Sequence, residues 1–267
     1  MIGRFQALNG GADAAGARFY TSLFGWETED QASPDGDYLY TTFRAGGKQV
    51  GGLGGQPEAM RAGGVPPMWN SYVTVDDVDA AVARVEANGG NVIDTMDVMA
   101  AGRMAIVADP TGGVLMLWEA GDHRGAEAFT GHGTMSWNGL ATRDVGKAQS
   151  FYAEVLGWRY EDAPGPDGYQ LIMLDNKVDG QPYMFDTFNG GMLAMDENWP
   201  DDMPAHWMVY FTVDNPDEMV ARVAELGGVV AVPPFDTSNG RTSVINDPQG
   251  GTFSVIAPSQ AIPADQS

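Results

Sequence analysis

The chain has 267 residues, 43% of them apolar, and sets 14 basic against 36 acidic side chains for a formal charge of −22. That charge repels phosphate backbones and anionic lipid surfaces, so neither nucleic acid nor membrane is expected as a partner. No apolar run approaches the roughly 20 residues of a membrane span. There is no cysteine, which excludes disulfides, thiolate catalysis and cysteine-held metal.

The sequence opens almost at once on strand-like residues, with no charged stretch leading into an apolar one, and a cytoplasmic location is expected. Phe5 to Asn9 reads as a short strand. Asp13 to Phe24 places Ala14, Ala17, Tyr20, Leu23 and Phe24 at near-helical spacing and stops at Gly25. Asp37 to Arg44 is rich in Tyr, Thr and Phe and suits a strand, with Gly46-Gly47 as a hairpin turn. Gly51 to Pro67 is poor in helix and strand formers and reads as a loop. Its Gly51–Gly55 run is expected to give flexibility. Asn70 to Val75 alternates like a strand. Asp76-Asp77 then supplies cap and first-turn acids for a helix with a Val78, Ala81, Val82, Val85 stripe, ended by Gly89-Gly90. Arg103 to Ala108 and Val114 to Trp118 flank Asp109-Pro110-Thr111-Gly112, a turn between two strands.

The same blocks then return. Ala17-Arg18-Phe19-Tyr20 … Leu23-Phe24-Gly25-Trp26 reappears 132 residues on as Gln149-Ser150-Phe151-Tyr152 … Val155-Leu156-Gly157-Trp158. The Asp77 helix with its Gly-Gly end, and the Gly-Arg … Asp-Pro-x-Gly hairpin, reappear 138 residues on at Asn215-Pro216 … Gly227-Gly228 and Gly240-Arg241 … Asp247-Pro248-Gln249-Gly250. Asn215 serves as cap and Pro216 as first helical residue. Three blocks in one order mean a duplicated module, read as residues 1–121 and 134–258, with a polar linker at 122–133 and a tail at 259–267. The linker carries two of the three histidines, expected on a solvated segment, and the tail is expected to fray.

A tandem βαβββ pattern with Phe-Tyr … Leu-Gly-Trp on its first helix and Asp-Pro-x-Gly before its last strand resembles the vicinal oxygen chelate superfamily. That superfamily takes in glyoxalase I, bleomycin- and fosfomycin-resistance proteins and extradiol dioxygenases. Pro66-Pro67-Met68-Trp69-Asn70, His206-Trp207 and Trp137-Asn138 make the chain similar to two-module actinobacterial members of glyoxalase or hydroxylase type. The resemblance covers nearly the whole chain. It implies an α+β fold of four βαβββ units in two modules, with curved mixed sheets around cups.

The resemblance also implies where a metal would be held: a His or Gln opening the first strand, a His opening the strand before the second helix, and a Glu on the last strand. Counted from the matched motifs, those positions are Phe5, Asn70 and Met116 in one module and Trp137, Met208 and Ser254 in the other. None is His, Glu or Asp, and a divalent ion needs about three hard or borderline donors. His206 precedes its expected position by two residues and shares its strand face, but stands alone. No metal and no other cofactor is expected.

If the ligand positions implied by the resemblance face the cups, strand alternation adds Tyr72 beside Asn70 and Met116 in one module, and His206 and Tyr210 beside Met208, Trp137 and Ser254 in the other. These residues suit either a small-molecule cup with aromatic walls or side chains that fill a closed sheet. Arg103 and Arg241 stand at equivalent places, suited either to orienting an anionic group of a ligand or to pairing with Asp97 or Asp236. Asp76, Asp77 and Asp109 are accounted for by capping and turn chemistry, and no catalytic residue is assigned. Three functions stay open. One is a metal-free protein that sequesters a small, partly aromatic molecule, best held in the second module. Another is a glyoxalase-related lyase or oxygenase with a non-standard site, and the third an interaction module with collapsed cups. A monomer and a homodimer suit the sequence equally.

Overall fold

The computed structural model describes residues 7–9, 14–32, 39–55, 62, 64, 66–163, 168–174 and 188–259. The strand position at Phe5, most of the segment following Gly55, and the expected frayed tail beyond Ser259 lie outside them.

The first half of the chain runs β1 (Ala7–Asn9), α1 (Ala14–Phe24), β2 (Glu27–Ala32), β3 (Leu39–Ala45), β4 (Lys48–Gly54), then β5 (Trp69–Thr74), α2 (Val78–Ala87), β6 (Asn91–Val98), β7 (Gly102–Ala108) and β8 (Val114–Ala120). The second half repeats it as β9 (Met135–Thr142), α3 (Val145–Leu156), β10 (Arg159–Asp162), β11 (Gln170–Met173), β12 (Phe188–Ala194), then β13 (His206–Thr212), α4 (Pro216–Glu225), β14 (Val229–Thr237), β15 (Gly240–Asn246) and β16 (Thr252–Pro258). These are the four expected βαβββ units. The sheet orders are β2-β3-β4-β1-β5-β8-β7-β6 and β10-β11-β12-β9-β13-β16-β15-β14, the second being the first advanced by eight strands.

Local chemistry sets the element ends. Asp77 accepts from the Ala80 amide at 2.8 Å, and Asn215 accepts from the Asp217 amide at 3.0 Å with Pro216 in the first turn, as their sequences require. Asp144 caps α3 in the same way through Lys147. Gly46 and Gly47 have φ of 56° and 79°, the paired positive values of a two-residue hairpin turn.

One expectation fails outright. The Gly51–Gly55 run is not a flexible loop: Gly51 to Gly54 are buried in β4, paired antiparallel with β3 and parallel with β1. Glycine weakens strand propensity in isolation, but two neighbouring strands supply the hydrogen bonds that hold it here. The linker also departs from a purely solvated segment. Glu127 exchanges two bonds with Gln49, 2.7 Å from its own amide and 2.8 Å to its carboxylate, and Ala126 is buried. His132 lies 3.1 Å from an Asp214 carboxylate oxygen, and the His123 carbonyl accepts from the Trp118 indole at 3.0 Å.

By contacts the chain forms two compact units. One comprises residues 1–5, 71–125 and 137–208, the other residues 6–70, 126–136 and 209–267. In the first, Tyr152 donates to Asp109 Oδ2 at 2.9 Å and accepts from the Trp207 indole at 3.0 Å. Asp109 Oδ1 meanwhile receives the Thr111 and Gly113 amides, closing the Asp-Pro-x-Gly turn. Phe151 and Trp158 bury against the same tyrosine. The second unit repeats the relay. Tyr20 donates to Asp247 Oδ2 at 2.6 Å and accepts from Trp69 at 2.8 Å, inside a cluster of Phe19, Phe24, Trp26, Phe43, Phe211 and Phe253. Each relay thus joins a helix tyrosine from one half of the sequence to a turn aspartate from the other. A buried polar group is tolerable only when partnered, and here the tyrosine hydroxyl partners both the aspartate and the indole.

The Gly-Gly helix ends serve the same cores. Gly89 and Gly227 take the left-handed conformation that ends a helix, with φ of 78° and 84°. The following glycine leaves room for a phenylalanine: a Cβ at Gly90 would lie 2.7 Å from the Phe151 ring, and one at Gly228 would lie 3.0 Å from Phe19. Phe19 and Phe151 are buried at equivalent sites.

Candidate functional site

On β13 the alternation is visible in burial. Trp207, Val209 and Phe211 are buried, whereas His206, Met208 and Tyr210 are half-buried on the other face. The sheet order places β12, β9 and β13 side by side, with Trp137 on β9.

Within the first unit, the half-buried Trp137 donates its indole N–H to the Tyr169 phenol at 2.7 Å. Tyr169 stands just before β11, and its ring lies against Gly191 of β12, where any Cβ would collide with it. Gly191 is the register partner of Gly139 on β9, so two adjacent strands both lack side chains there. Register partners in a parallel pair project to one face, and Trp137 shares that face two residues earlier. The result is an indole beside a glycine floor, walled by a tyrosine. His206 sits at the head of β13, its Nδ1 2.9 Å from the Pro204 carbonyl and its ring 6.1 Å from that of Trp199. In the neutral ring that bond puts the proton on Nδ1 and leaves the Nε2 lone pair as an acceptor. In the same unit Tyr72 and Met116 are register partners on β5 and β8, and both are buried.

Within the second unit Tyr210 and Ser254 are register partners on β13 and β16. Burial pushes the Tyr210 phenol above its usual value, and nearby Ser254 opposes this weakly. The Ser254 hydroxyl is buried without a partner at hydrogen-bonding geometry. Asn70 is half-buried on β5.

Both arginines are held by acids. Arg103 donates to Asp97 and Asp79 at 2.8 Å each, and Arg241 to Asp236 at 3.1 Å and to both carboxylate oxygens of Asp217. The pairing alternative considered for the sequence is the arrangement found. The helix aspartates Asp79 and Asp217, both in the first turn of their helices and 24 residues before the arginines they bind, were not foreseen.

Sequence reasoning missed Tyr169. The available signal was Gly190-Gly191 within a β-like stretch, since strand glycine marks a close approach by another group.

The superfamily's enzymes use a metal, so the donor set was compared with one. Asn70, Met116, Trp137, Met208 and Ser254 offer an amide, two thioethers, an indole and a hydroxyl, and Phe5 lies outside the described residues. Among the described residues no group of three or more His, Cys, Asp or Glu could hold an ion. This set does not fit a divalent cation.

A tandem of βαβββ units in eight-stranded mixed sheets defines the class structurally. The model of the Glyoxalase/Bleomycin resistance protein/Dioxygenase superfamily matches residues 4–117 and 133–255, and the chain belongs to that superfamily. It is 38% identical over 250 residues to "Putative glyoxylase CFP32" of Mycobacterium bovis, covering 92% of this chain and 90% of that one. It is 37% identical over 262 residues to "Anthracycline biosynthesis protein DauV" of Streptomyces sp. strain C5, covering 94% and 91%. Among solved structures, the Mn(II)-bound glyoxalase from Novosphingobium aromaticivorans superposes with a TM-score of 0.60 at 18% identity, over 98% of this chain and 84% of that one. The 2,3-dioxygenase LapB from Pseudomonas sp. KL28 gives 0.59 at 15%, over 100% and 94%. At such identities these two likenesses speak to fold alone. Among the described residues no helix is long and apolar enough to cross a membrane.

Proposed function

We propose that the protein is a metal-independent binder of a small, flat aromatic molecule, held on the Trp137 face of its second module. The observation that carries this reading is the replacement of the family's metal-ligand positions by an indole and two thioethers. The Trp137 indole is itself hydrogen-bonded to the Tyr169 phenol. Indole and methionine surfaces favour apolar, polarisable rings, and the His206 imidazole in the same unit supplies a polar tip for orientation. The name of the anthracycline-biosynthesis relative supports an aromatic polyketide-like ligand over a small aldehyde.

A lyase or oxygenase with a non-standard site is the second reading, favoured by the 38% identity to a relative named as a glyoxylase. Metal analysis and ligand titration separate the two. Purified protein dialysed exhaustively should carry no stoichiometric Zn, Ni, Fe or Mn, and a hydroxyanthraquinone should quench its tryptophan fluorescence saturably. About one tightly held metal ion per chain would refute the proposal.

A further inference from the structure

Tyr169 starts from the β11 side of the sheet, and Trp137 stands on β9, with β12 between them. Two strand spacings amount to roughly 10 Å. The phenol and indole meet at 2.7 Å because the tyrosine ring crosses β12 over Gly191, the one kind of residue that lets a ring lie on the backbone. At its other end the Tyr169 carbonyl accepts from the Ala163 amide at 2.8 Å, which closes the β10–β11 hairpin behind it. The ring is therefore fixed at backbone, face and hydroxyl. Gly139, the register partner of Gly191, carries no side chain on β9, the strand of Trp137, beside the covered position.

We infer that Tyr169 is the specificity-determining residue of this face: it locks the Trp137 indole in one orientation above a glycine floor, and so selects a planar fused-ring aromatic over a puckered ring of the same substituents. The inference rests on the proposed aromatic-binding reading. A wall fixed before the ligand arrives loses no rotamer freedom on binding, and a flat, fixed indole gives its full stacking contact only to a flat ring. Gly191 is the positioning partner, because it alone allows Tyr169 to reach.

The test uses two probes on the full chain: quinizarin, a planar dihydroxyanthraquinone, and its tetrahydro analogue with one saturated, puckered ring. Both are titrated by tryptophan fluorescence into the unmodified protein and into Y169F, G191A and W137A. The unmodified protein should prefer quinizarin by at least about tenfold. Y169F keeps the ring but loses the bond to Trp137, worth roughly three- to tenfold in affinity on the scale of one hydrogen bond, and the planar preference should shrink by a like factor. G191A should displace the ring and remove the preference. Thermal melts of each variant confirm that the fold is retained. If W137A loses binding while Y169F and G191A keep the affinity and preference of the unmodified protein, the role assigned to Tyr169 is wrong and the aromatic-binding reading stands. If the unmodified protein binds neither probe, both fall.

Discussion

Removing one hydroxyl tests the architecture most sharply. Tyr152→Phe takes away a donor to Asp109 Oδ2 and an acceptor for the Trp207 indole N–H, at 2.9 and 3.0 Å, without changing the packed ring. Asp109 is 4% exposed and Trp207 8%, so water does not readily replace what is lost. A hydrogen bond to a charged group contributes about 1.5–3 kcal/mol, and a buried N–H left unpaired costs about 1–3 kcal/mol. Partial relaxation keeps these from adding in full, which puts the expected loss at about 2–4 kcal/mol. Tyr20→Phe should cost as much or slightly more, since its bonds to Asp247 and Trp69 are shorter at 2.6 and 2.8 Å. Urea denaturation followed by circular dichroism reads the loss, with the slope of the transition checked for constancy. A loss under about 0.5 kcal/mol in both variants would refute the reasoning. It would mean that the turn amides satisfy each aspartate and that the tyrosine hydroxyl only fills space.

Four further outcomes follow from the same structure. Gly90→Ala and Gly228→Ala should each destabilise by about 1–3 kcal/mol, because the new Cβ must push aside Phe151 or Phe19; midpoints equal to that of the unmodified protein would contradict this. Tyr152 is held well above the usual tyrosine value by burial first and the Asp109 charge second. The folded state therefore keeps a proton that the unfolded chain releases near pH ~10. The stability this supplies is complete below that pH and falls as pH rises beyond it. Urea midpoints measured from neutral to strongly alkaline pH should show the fall, and Tyr152→Phe should make it shallower. Trp137→Ala should weaken binding of a planar aromatic by roughly tenfold or more through lost stacking and contact, while Phe5→Ala should matter less; fluorescence or calorimetric titration decides, and equal losses would point to the first module. Arg241→Ala should leave that affinity unchanged, because Asp217 and Asp236 already engage the guanidinium. A small drop in melting temperature that vanishes in high salt is its expected effect.

The parts of the fold legible in the sequence were those written in local chemistry. Asp77, Asn215 and Pro216 announce helix starts, Gly46-Gly47 a hairpin, and Asp109 and Asp247 tight turns, since each satisfies backbone groups within a few residues of itself. The repeat made these signals stronger by stating each one twice. What stayed hidden depends on contacts across 43 to 227 residues of chain. The Tyr152–Asp109 and Tyr20–Asp247 bonds cross the two halves of the sequence, and nothing local to either partner indicates the other. The Gly51–Gly54 strand was misread for the same reason: a propensity argument sees the missing side chains but not the two strands that pair with the backbone. Tyr169 was missed because its meaning depends on Gly191 of β12, which lets its ring reach Trp137.

The two halves also show where the duplication is held and where it has diverged. Residues that face the cores match pair by pair: Phe19 with Phe151, Tyr20 with Tyr152, Trp69 with Trp207, Gly90 with Gly228 and Asp109 with Asp247. The positions that the family resemblance implies for metal ligands do not. Phe5 stands against Trp137, Asn70 against Met208 and Met116 against Ser254. A relay centred on one hydroxyl constrains its members, because losing the tyrosine hydroxyl removes a partner from both the aspartate and the indole in a buried place. Burial is not uniform at the diverged positions: Trp137, Met208 and Asn70 are half-buried, whereas Met116 and Ser254 are buried. The matched positions belong to cores that draw on both halves of the sequence, so a change in one copy has to be accommodated by residues of the other. Trp137, unmatched in the first copy, has its own partner close by in the second, the Tyr169 phenol.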